Sequence, residues 1–283
     1  MKNYTARMDH SAPRANVNIL AVDIGASSIK VGLFLNGKEV AEEVRKISTP
    51  YPCTPARLID VITEEILAND CPRIGVGFPG DLDGGVVREP GNLSRPGGVT
   101  TEIDPTLHAE WVGMNLETAL RRSSGHDVRV VNDATLAALG CSNGRGRELV
   151  FTLGTGFGIA LVAHGEIVRI RDVGTEQFLY GATYDQHFGD VSRRQDEREW
   201  NQTLRDAVIN FVQEFEADTV HFSGGNSRRV DVNQYESLAV RVVVNDNDTS
   251  LRGAVRLFEP EMVGGAPATL PADAEYLRND GVT

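Results

Sequence analysis

Cysteine is scarce in this chain. There are three in 283 residues, Cys53, Cys71 and Cys141. They lie far apart and fit neither a zinc-ligand spacing nor a disulfide framework, so a reduced setting is the simpler reading. Long apolar runs are also missing. No stretch approaches the roughly 18 residues of a membrane span. Positive charge is outnumbered: the net charge of −12 argues against a general affinity for nucleic acid or acidic membranes. A local basic pocket for a phosphorylated ligand is still compatible with it. The first residues, "MKNYTARMDHSAPRAN", contain no apolar signal core and are too short for a helix-turn-helix domain. The expectation is a cytoplasmic protein with no nucleic-acid or membrane partner.

Against these absences stand a 41% hydrophobic content and a length that suits two domains or one large one. Residues 17–23 read as a short buried strand. "IKVGLFL" continues as a strand, Asn36-Gly37 is a hairpin signal, and "KEVAEEVRK" returns. A helix is expected over 54–70, with Thr54 as N-cap and Pro55 at its first position. "RIGVGFPG" is a buried strand and "DGGVVRE" a short hairpin strand. Residues 88–110 are rich in Gly and Pro and read as a long loop. A helix around "NLETALRRSS", the strand "DVRVV" and a helix "NDATLAALGCSN" follow. "ELVFTLG", "GIALVA" and "EIVRI" read as strands, with a hairpin at His164-Gly165. Residues 171–190 look irregular. A long amphipathic helix carries Trp200, Leu204, Val208, Phe211, Val212 and Phe215 on one face. "TVHFSGGN" and "LAVRVVV" are strands, and a helix from about Ser250 to Phe258 closes the fold.

"DIGASSIKVGLFLNGKEV" and "TLGTGFGIALVAHGEIV" share a plan. Each is a strand, a glycine-bearing turn, a second strand, an X-Gly hairpin and a third strand. Two such β-β-β-α units make two lobes whose turns can face each other across a cleft, a favoured place for ligands.

Four glycine-rich turns follow strands, at Gly25, Gly80, Gly154–Gly158 and Gly224-Gly225-Asn226. Such turns let the backbone approach a ligand and aim N–H groups at an anion. Any one of them alone is an ordinary turn; four in one chain favour phosphate. "GTGFG" is no dinucleotide fingerprint, because a strand follows it. Ser27, Ser28 and Thr155 add hydroxyl donors. Lys30 either adds charge or points to solvent. Asp133 follows Asn132 where a strand ends and a helix begins. It is either an N-cap or a rigid carboxylate that accepts the proton of an attacking hydroxyl. Asp23 is either satisfied by nearby backbone or placed to hold the waters of a Mg²⁺ ion.

"DIGASSIKVG", "GVGFPGDLDGGVVREPGNL", "VVNDATLAALG", "FTLGTGFGIAL" and "FSGGN" occur in the order and spacing of the ROK sugar kinases. Over residues 17–258 the chain resembles this family of the actin-like ATPase superfamily, and within it the branch of polyphosphate/ATP glucokinases. The resemblance implies an α/β fold of two actin-like ATPase (ribonuclease H-like) lobes around a central cleft. The lobes would span 17–112 and 113–259, with the last helix packing back on the first lobe and 260–283 a flexible tail. It implies that Gly25, Ser27, Ser28 and Lys30 form one phosphate loop, Gly154, Thr155 and Gly156 a second, and that Gly224, Gly225 and Asn226 lie beside the nucleoside. Asp133 would be the base for the sugar 6-hydroxyl, with Gly80, Asn92 and Asn132 binding the sugar and Asp23 serving Mg²⁺. ATP, Mg²⁺ and a homodimer are implied as well.

The chain departs from the family pattern in three places. Where the family has a Glu-x-Gly-His-type motif, this chain reads "RDVGTEQF". Asp172 stands where the Glu stands, Thr175 falls where a His is expected, and Glu176 is the next polar group available to a sugar hydroxyl. The zinc cluster of many members is absent. The segment before the long helix, "SRRQDEREWNQ", is mixed in sign, whereas a polyphosphate track would be basic; ATP is therefore favoured. A glucokinase-like enzyme is expected, and the lost His leaves a non-catalytic sugar-binding or regulatory protein as the alternative.

Overall fold

The computed structural model describes residues 18–35, 38–39, 44–69, 71–170 and 172–258. The expected turn at Asn36-Gly37 and the expected tail at 260–283 lie outside them.

Strands β1 (Asn18–Ile24), β2 (Ser28–Leu35), β3 (Lys38–Glu39) and β4 (Arg45–Ser48) lead to helix α1 (Pro55–Asn69) and strand β5 (Arg73–Phe78). A hairpin, β6 (Asp81–Asp83) and β7 (Val86–Glu89), precedes α2 (Pro105–Trp111), α3 (Leu116–Ser124), β8 (Asp127–Asn132) and α4 (Asp133–Cys141). Then come β9 (Arg147–Leu153), β10 (Phe157–Ala163), β11 (Glu166–Val168), β12 (Gln177–Leu179), β13 (Ala182–Thr183), α5 (Tyr184–Phe188), α6 (Asp190–Gln195) and α7 (Glu197–Phe215). Strands β14 (Thr219–Ser223) and β15 (Arg241–Val244) and helix α8 (Thr249–Arg256) complete the described chain.

The strands form two main sheets of one plan. The first runs β3-β2-β1-β5-β8, with β4 also on β2; the second runs β11-β10-β9-β14-β15. In each, the first two strands of the unit pair antiparallel, and the strand beyond pairs parallel. The self-similarity read in the sequence is thus a repeat of topology.

Each central strand is buried on both faces, so its alternate residues feed two cores. In β1, Leu20, Val22 and Ile24 pack outward with Leu58, Ile62 and Ile66 of α1, while Ile19 and Ala21 pack inward with Leu136 and Leu139 of α4 and Leu251 and Ala254 of α8. In β9, Leu149, Phe151 and Leu153 join Leu204, Val208 and Phe211 of α7, while Val150 meets the alanine face of α4. Helices α4 and α8 therefore lie between the sheets. They cross with their backbones in contact: a Cβ on Gly140 would stand 1.9 Å from the Thr249 carbonyl oxygen, and one on Gly253 would stand 1.8 Å from that of Leu136. Only glycine permits this approach.

Four features differ from the sequence reading. The expected lobe boundary at 112/113 is not where the sheets divide. Strand β8 pairs parallel with β5, and Leu116 and Leu120 of α3 join the core over the first sheet. The return strand over 38–46 is two short strands, both on β2. Residues 88–110 hold α2, started by Asp104, whose carboxylate accepts from the Thr106 and Leu107 N–H groups, with Pro105 at the first position. Residues 171–190 hold the β12–β13 hairpin and α5, whose start is a capping box of Thr183 and Gln186. Both are local capping signals present in the sequence, the first within a Gly- and Pro-rich stretch and the second within one that shows no clear periodicity.

Candidate active site

A cleft of about 470 Å³ lies between the sheets. Its floor is the junction of β8 and α4. The strand must end there because Asn132 caps the helix: its Oδ1 accepts from the Thr135 N–H at 3.1 Å, and its Nδ2 donates to the Gly80 carbonyl at 3.0 Å. Asn132 is the cap and Asp133 the first helical residue, so the capping role considered for Asp133 belongs to its neighbour. Asn132 thereby clamps the Gly80 turn to the helix. Asp133 Oδ1 accepts from the Ala134 N–H at 2.8 Å, and its Oδ2 has no hydrogen-bond partner among the described residues. Burial pushes the Asp133 carboxyl well above the usual carboxylate range, and the charges of Asp23, Asp172 and Asp185 push it the same way.

Two turns face each other above this floor. The β1–β2 turn is closed by the Gly25 N–H donating to the Ser28 carbonyl at 3.0 Å, and the β9–β10 turn by the Gly154 N–H donating to the Gly156 carbonyl at 3.1 Å. Their hydroxyls meet: Ser27 Oγ and Thr155 Oγ1 are 3.4 Å apart, 128 residues apart in sequence. The first turn is propped by Thr49, which donates to the Gly25 carbonyl at 2.7 Å, and by Tyr51, which donates to that of Ala26 at 2.7 Å.

The second turn is propped by residues that the sequence reading missed. Asp185 Oδ1 accepts from the Phe157 N–H at 2.7 Å, and the Asp185 N–H donates to the Gly174 carbonyl at 2.8 Å. A Cβ on Gly156 would meet Asp185 Oδ1 at 2.4 Å, so a side chain at that place would displace the carboxylate or the turn. Burial raises the Asp185 carboxyl, against the opposing pull of the Phe157 N–H and Arg95. Asn226, beside the Gly224-Gly225 turn, donates to the Gly154 carbonyl at 3.0 Å and accepts from Arg193 Nε at 3.0 Å.

Asp23 and Lys30 form one network. Ser250 of α8 donates to Asp23 Oδ2 at 2.6 Å, and Lys30 Nζ lies 3.6 Å from the same oxygen. Lys30 also donates to the Asn247 carbonyl at 2.5 Å, and its side chain is 14% exposed. The solvent-facing alternative for Lys30 is therefore excluded. Nothing in the local sequence pointed to Asn247 or Ser250, because α8 reaches the site from the far end of the chain.

On the opposite wall, Asp172 Oδ1 accepts from the Gly174 N–H at 2.9 Å. Burial pushes this carboxyl up to about 6, helped by the charges of Asp185, Asp81 and Glu89. Thr175 and Asn92 line the cleft, and Asn92 has no side-chain hydrogen bond among the described residues. Glu176 is not part of the lining. The tight turn in which its N–H bonds the Val173 carbonyl at 2.9 Å carries it toward the β12–β13 hairpin. Glu176, expected as the next polar group available to the sugar, is thus set outside the lining formed by Asp172 and Thr175. Arg169, unremarked in the sequence, also lines the cleft.

Residues 19–176 match the ROK family, which is more than half of the chain. This chain belongs to the ROK family. Among its curated ROK-type relatives, polyphosphate glucokinase of Mycobacterium tuberculosis (strain CDC 1551 / Oshkosh) is 25% identical over 221 residues, 74% of this chain and 78% of that protein. Polyphosphate glucokinase of Mycobacterium leprae (strain TN) is 28% identical over 162 residues, 54% of this chain; the match spans only 46% of that protein's length. The inorganic polyphosphate/ATP-glucomannokinase of Arthrobacter sp. strain KM superposes with a TM-score of 0.70 at 25% identity, covering 85% of this chain and 98% of that one. The fold is thus the α/β, two-sheet fold of the ROK kinases. Among the described residues, no helix is long and apolar enough to cross a membrane.

Proposed function

We propose that this ROK-family chain is a glucokinase-like sugar kinase that transfers the terminal phosphoryl group of ATP to the 6-hydroxyl of a hexose. The observation that carries this reading is the meeting of Ser27 and Thr155 across the cleft, above a half-buried Asp133 whose Oδ2 has no hydrogen-bond partner among the described residues. Facing turns suit a polyphosphate tail, and phosphoryl transfer asks mainly for positioning and charge stabilisation. The two sheets would act as lobes that close over the cleft and exclude water.

In this reading Gly25, Ser27 and Ser28 offer donors to the phosphates from one side, and Gly154, Thr155 and Gly156 from the other. Gly224, Gly225 and Asn226 border the nucleoside. Lys30 contributes by anchoring Asp23. Gly80, Asn92 and Asp172 orient the sugar, and Asn132 fixes the Gly80 turn from behind. Asp133 Oδ2 takes the proton from the 6-hydroxyl as that oxygen attacks the terminal phosphorus and ADP departs. A carboxylate with raised proton affinity is a stronger base for this step.

Mg²⁺ fits this donor set. Asp23 lines the cleft beside the first glycine turn, and such an ion is held by one or two carboxylates, water and donor phosphates. Asp23 is the carboxylate that would hold it, and the ion would neutralise charge on the phosphates.

ATP is preferred over polyphosphate because the basic residues before α7 are neutralised. Arg193 pairs with Asp190 and Glu197 at 2.8 Å each, and Arg194 with Asp190 at 2.7 Å. A homodimer in the cytoplasm completes the proposal. Thr175 supports a second reading, a non-catalytic sugar-binding or regulatory protein, because a hydroxyl in place of an imidazole changes the donor pattern offered to a sugar.

The deciding experiment measures ADP release from purified protein against hexoses and N-acetylated hexosamines. Polyphosphate replaces ATP in a parallel arm read by sugar phosphate formed. Sugar-dependent turnover lost in Asp133→Asn is expected. Turnover that survives this substitution overturns the mechanism, and thermal stabilisation by a sugar without turnover selects the second reading.

A further inference from the structure

Arg169 follows β11 on the second sheet, yet its charge is met on the separate β6–β7 hairpin that follows β5 of the first. Its Nη1 lies 3.3 Å from Asp83 Oδ1 and its Nη2 lies 3.9 Å from Asp81 Oδ1, and the side chain is 7% exposed. Asp83 is held at its other oxygen by Arg88 at 2.9 Å. The pair joins the two sides of the cleft beside the residues assigned to the sugar. Three residues after Arg169 comes Asp172, then Gly174 and Thr175. Just before Asp81 comes Gly80, whose carbonyl is held by Asn132, the cap of the helix that carries Asp133.

These contacts run in sequence along the acceptor pocket, from the 172–175 wall through Arg169, β6 and Gly80 to Asn132 and Asp133. The Gly80–Asn132 link is a side-chain amide on a carbonyl. The Arg169 link joins the end of β11 to the β6–β7 hairpin through charged side chains. A guanidinium suits it because its planar fork reaches two carboxylates at once, which an ammonium does not. A buried ion pair is a costly way to add stability but an effective way to fix a geometry, since leaving one partner unmatched is heavily penalised.

We propose that Arg169 is a positioning residue for the acceptor: through Asp83 and Asp81 it fixes the 172–175 wall against the Gly80 turn, and so sets the sugar's place relative to Asp133. The proposal rests on the kinase reading for its role, but the link itself is a physical contact that can be tested without turnover.

The test is a double-mutant cycle of Arg169→Met and Asp83→Asn, with Arg169→Lys as a milder variant should Arg169→Met fold poorly. Two quantities are read. The first is hydrogen exchange of the apo protein over residues 81–89 and 169–175, which needs no activity. Each single variant is expected to speed exchange in both segments by about tenfold, and the double variant no more than either single one. The second is kinetic. The sugar KM is expected to rise about tenfold in each single variant, while the KM for ATP changes by less than about twofold. Arg169→Lys should fall between wild type and Arg169→Met. Additive effects, unchanged exchange in the 81–89 segment, or equal rises in both KM values overturn the proposal. Should wild type phosphorylate no sugar, the kinase reading fails, and the exchange cycle still decides whether Arg169 couples the two walls.

Discussion

On the side of the cleft proposed for the phosphoryl donor the walls are backbone turns; on the side proposed for the acceptor they are carboxylates. The donor turns at 25–28 and 154–158 are defined by main-chain hydrogen bonds and by glycines packed against neighbours, as at Gly156 and Asp185. Their chemistry is that of N–H groups and hydroxyls, which no pH change alters. The acceptor side instead gathers Asp133, Asp172, Asp81 and Glu89, with Arg169 among them. Two of these carboxyls are raised because burial and mutual repulsion disfavour their charge. The donor side is held mainly by main-chain geometry, with the Asp185 carboxylate as a titrating prop behind one turn. The acceptor side is electrostatically loaded and should respond to solution conditions.

The largest test of this contrast is Asp133→Asn. It is expected to lower kcat/KM by about 10²–10⁴-fold, the usual contribution of a positioned general base. The melting temperature should hold or rise, since a neutral amide removes repulsion from Asp23 and Asp172. A large loss of stability would mean that the carboxylate is structural.

Next in size is a pH effect on the apo protein. Asp172 sits at about 6 against an ordinary 3.8, so the folded state holds its proton more tightly than the unfolded chain. Its stabilising contribution is present below pH 4 and is lost as pH rises through about 6, a change of up to about 3 kcal/mol. Asp133 and Asp185 act in the same direction. Glu148 acts oppositely: despite its burial, hydrogen bonds from His221, Ser142 and the Asn143 N–H lower it to about 2, so its contribution is lost only in stronger acid. Thermal melts between pH 4.5 and 7.5 should show falling stability with rising pH, and Asp172→Asn should flatten the slope. A flat wild-type profile would erase the contrast.

Gly156→Ala probes the donor wall. The new Cβ at 2.4 Å from Asp185 Oδ1 forces the turn or the carboxylate to move, at a cost of about 1–3 kcal/mol. The KM for ATP should rise more than that for sugar in steady-state kinetics. Ser27→Ala is the smallest change. It removes one long hydrogen bond between the turns and is expected to weaken ATP by about 0.5–1.5 kcal/mol, measured by calorimetry with a non-hydrolysable analogue.

Much of this was legible in the sequence. The repeat of strand, glycine turn and strand appears as two sheets with one strand order, because alternating burial and X-Gly hairpins are local properties. The break between "DVRVV" and "NDATL" falls where the strand ends and the helix starts. Other features were legible but masked. Asp104-Pro105 is a helix start within a stretch whose Gly and Pro content argued for a loop, and Thr183-Gln186 one within a stretch that read as irregular. A third group had no local signal. Glu176 and Asp185 are both acids near the motif, and only the turn at 173–176 decides that one leaves the cleft while the other backs it.

The sequence by itself determined most of the elements, the two glycine turns and the carboxylate at the head of a helix, since each depends on residues within a few positions of one another. Only the tertiary structure decided which sheet takes β8, that α8 brings Ser250 to Asp23, and that Arg169 meets Asp81 and Asp83 across the cleft. Those contacts join residues as much as 227 positions apart, and no periodicity or capping rule reaches that far. They depend on how the two sheets close around the glycine-lined crossing of α4 and α8, which is a matter of packing.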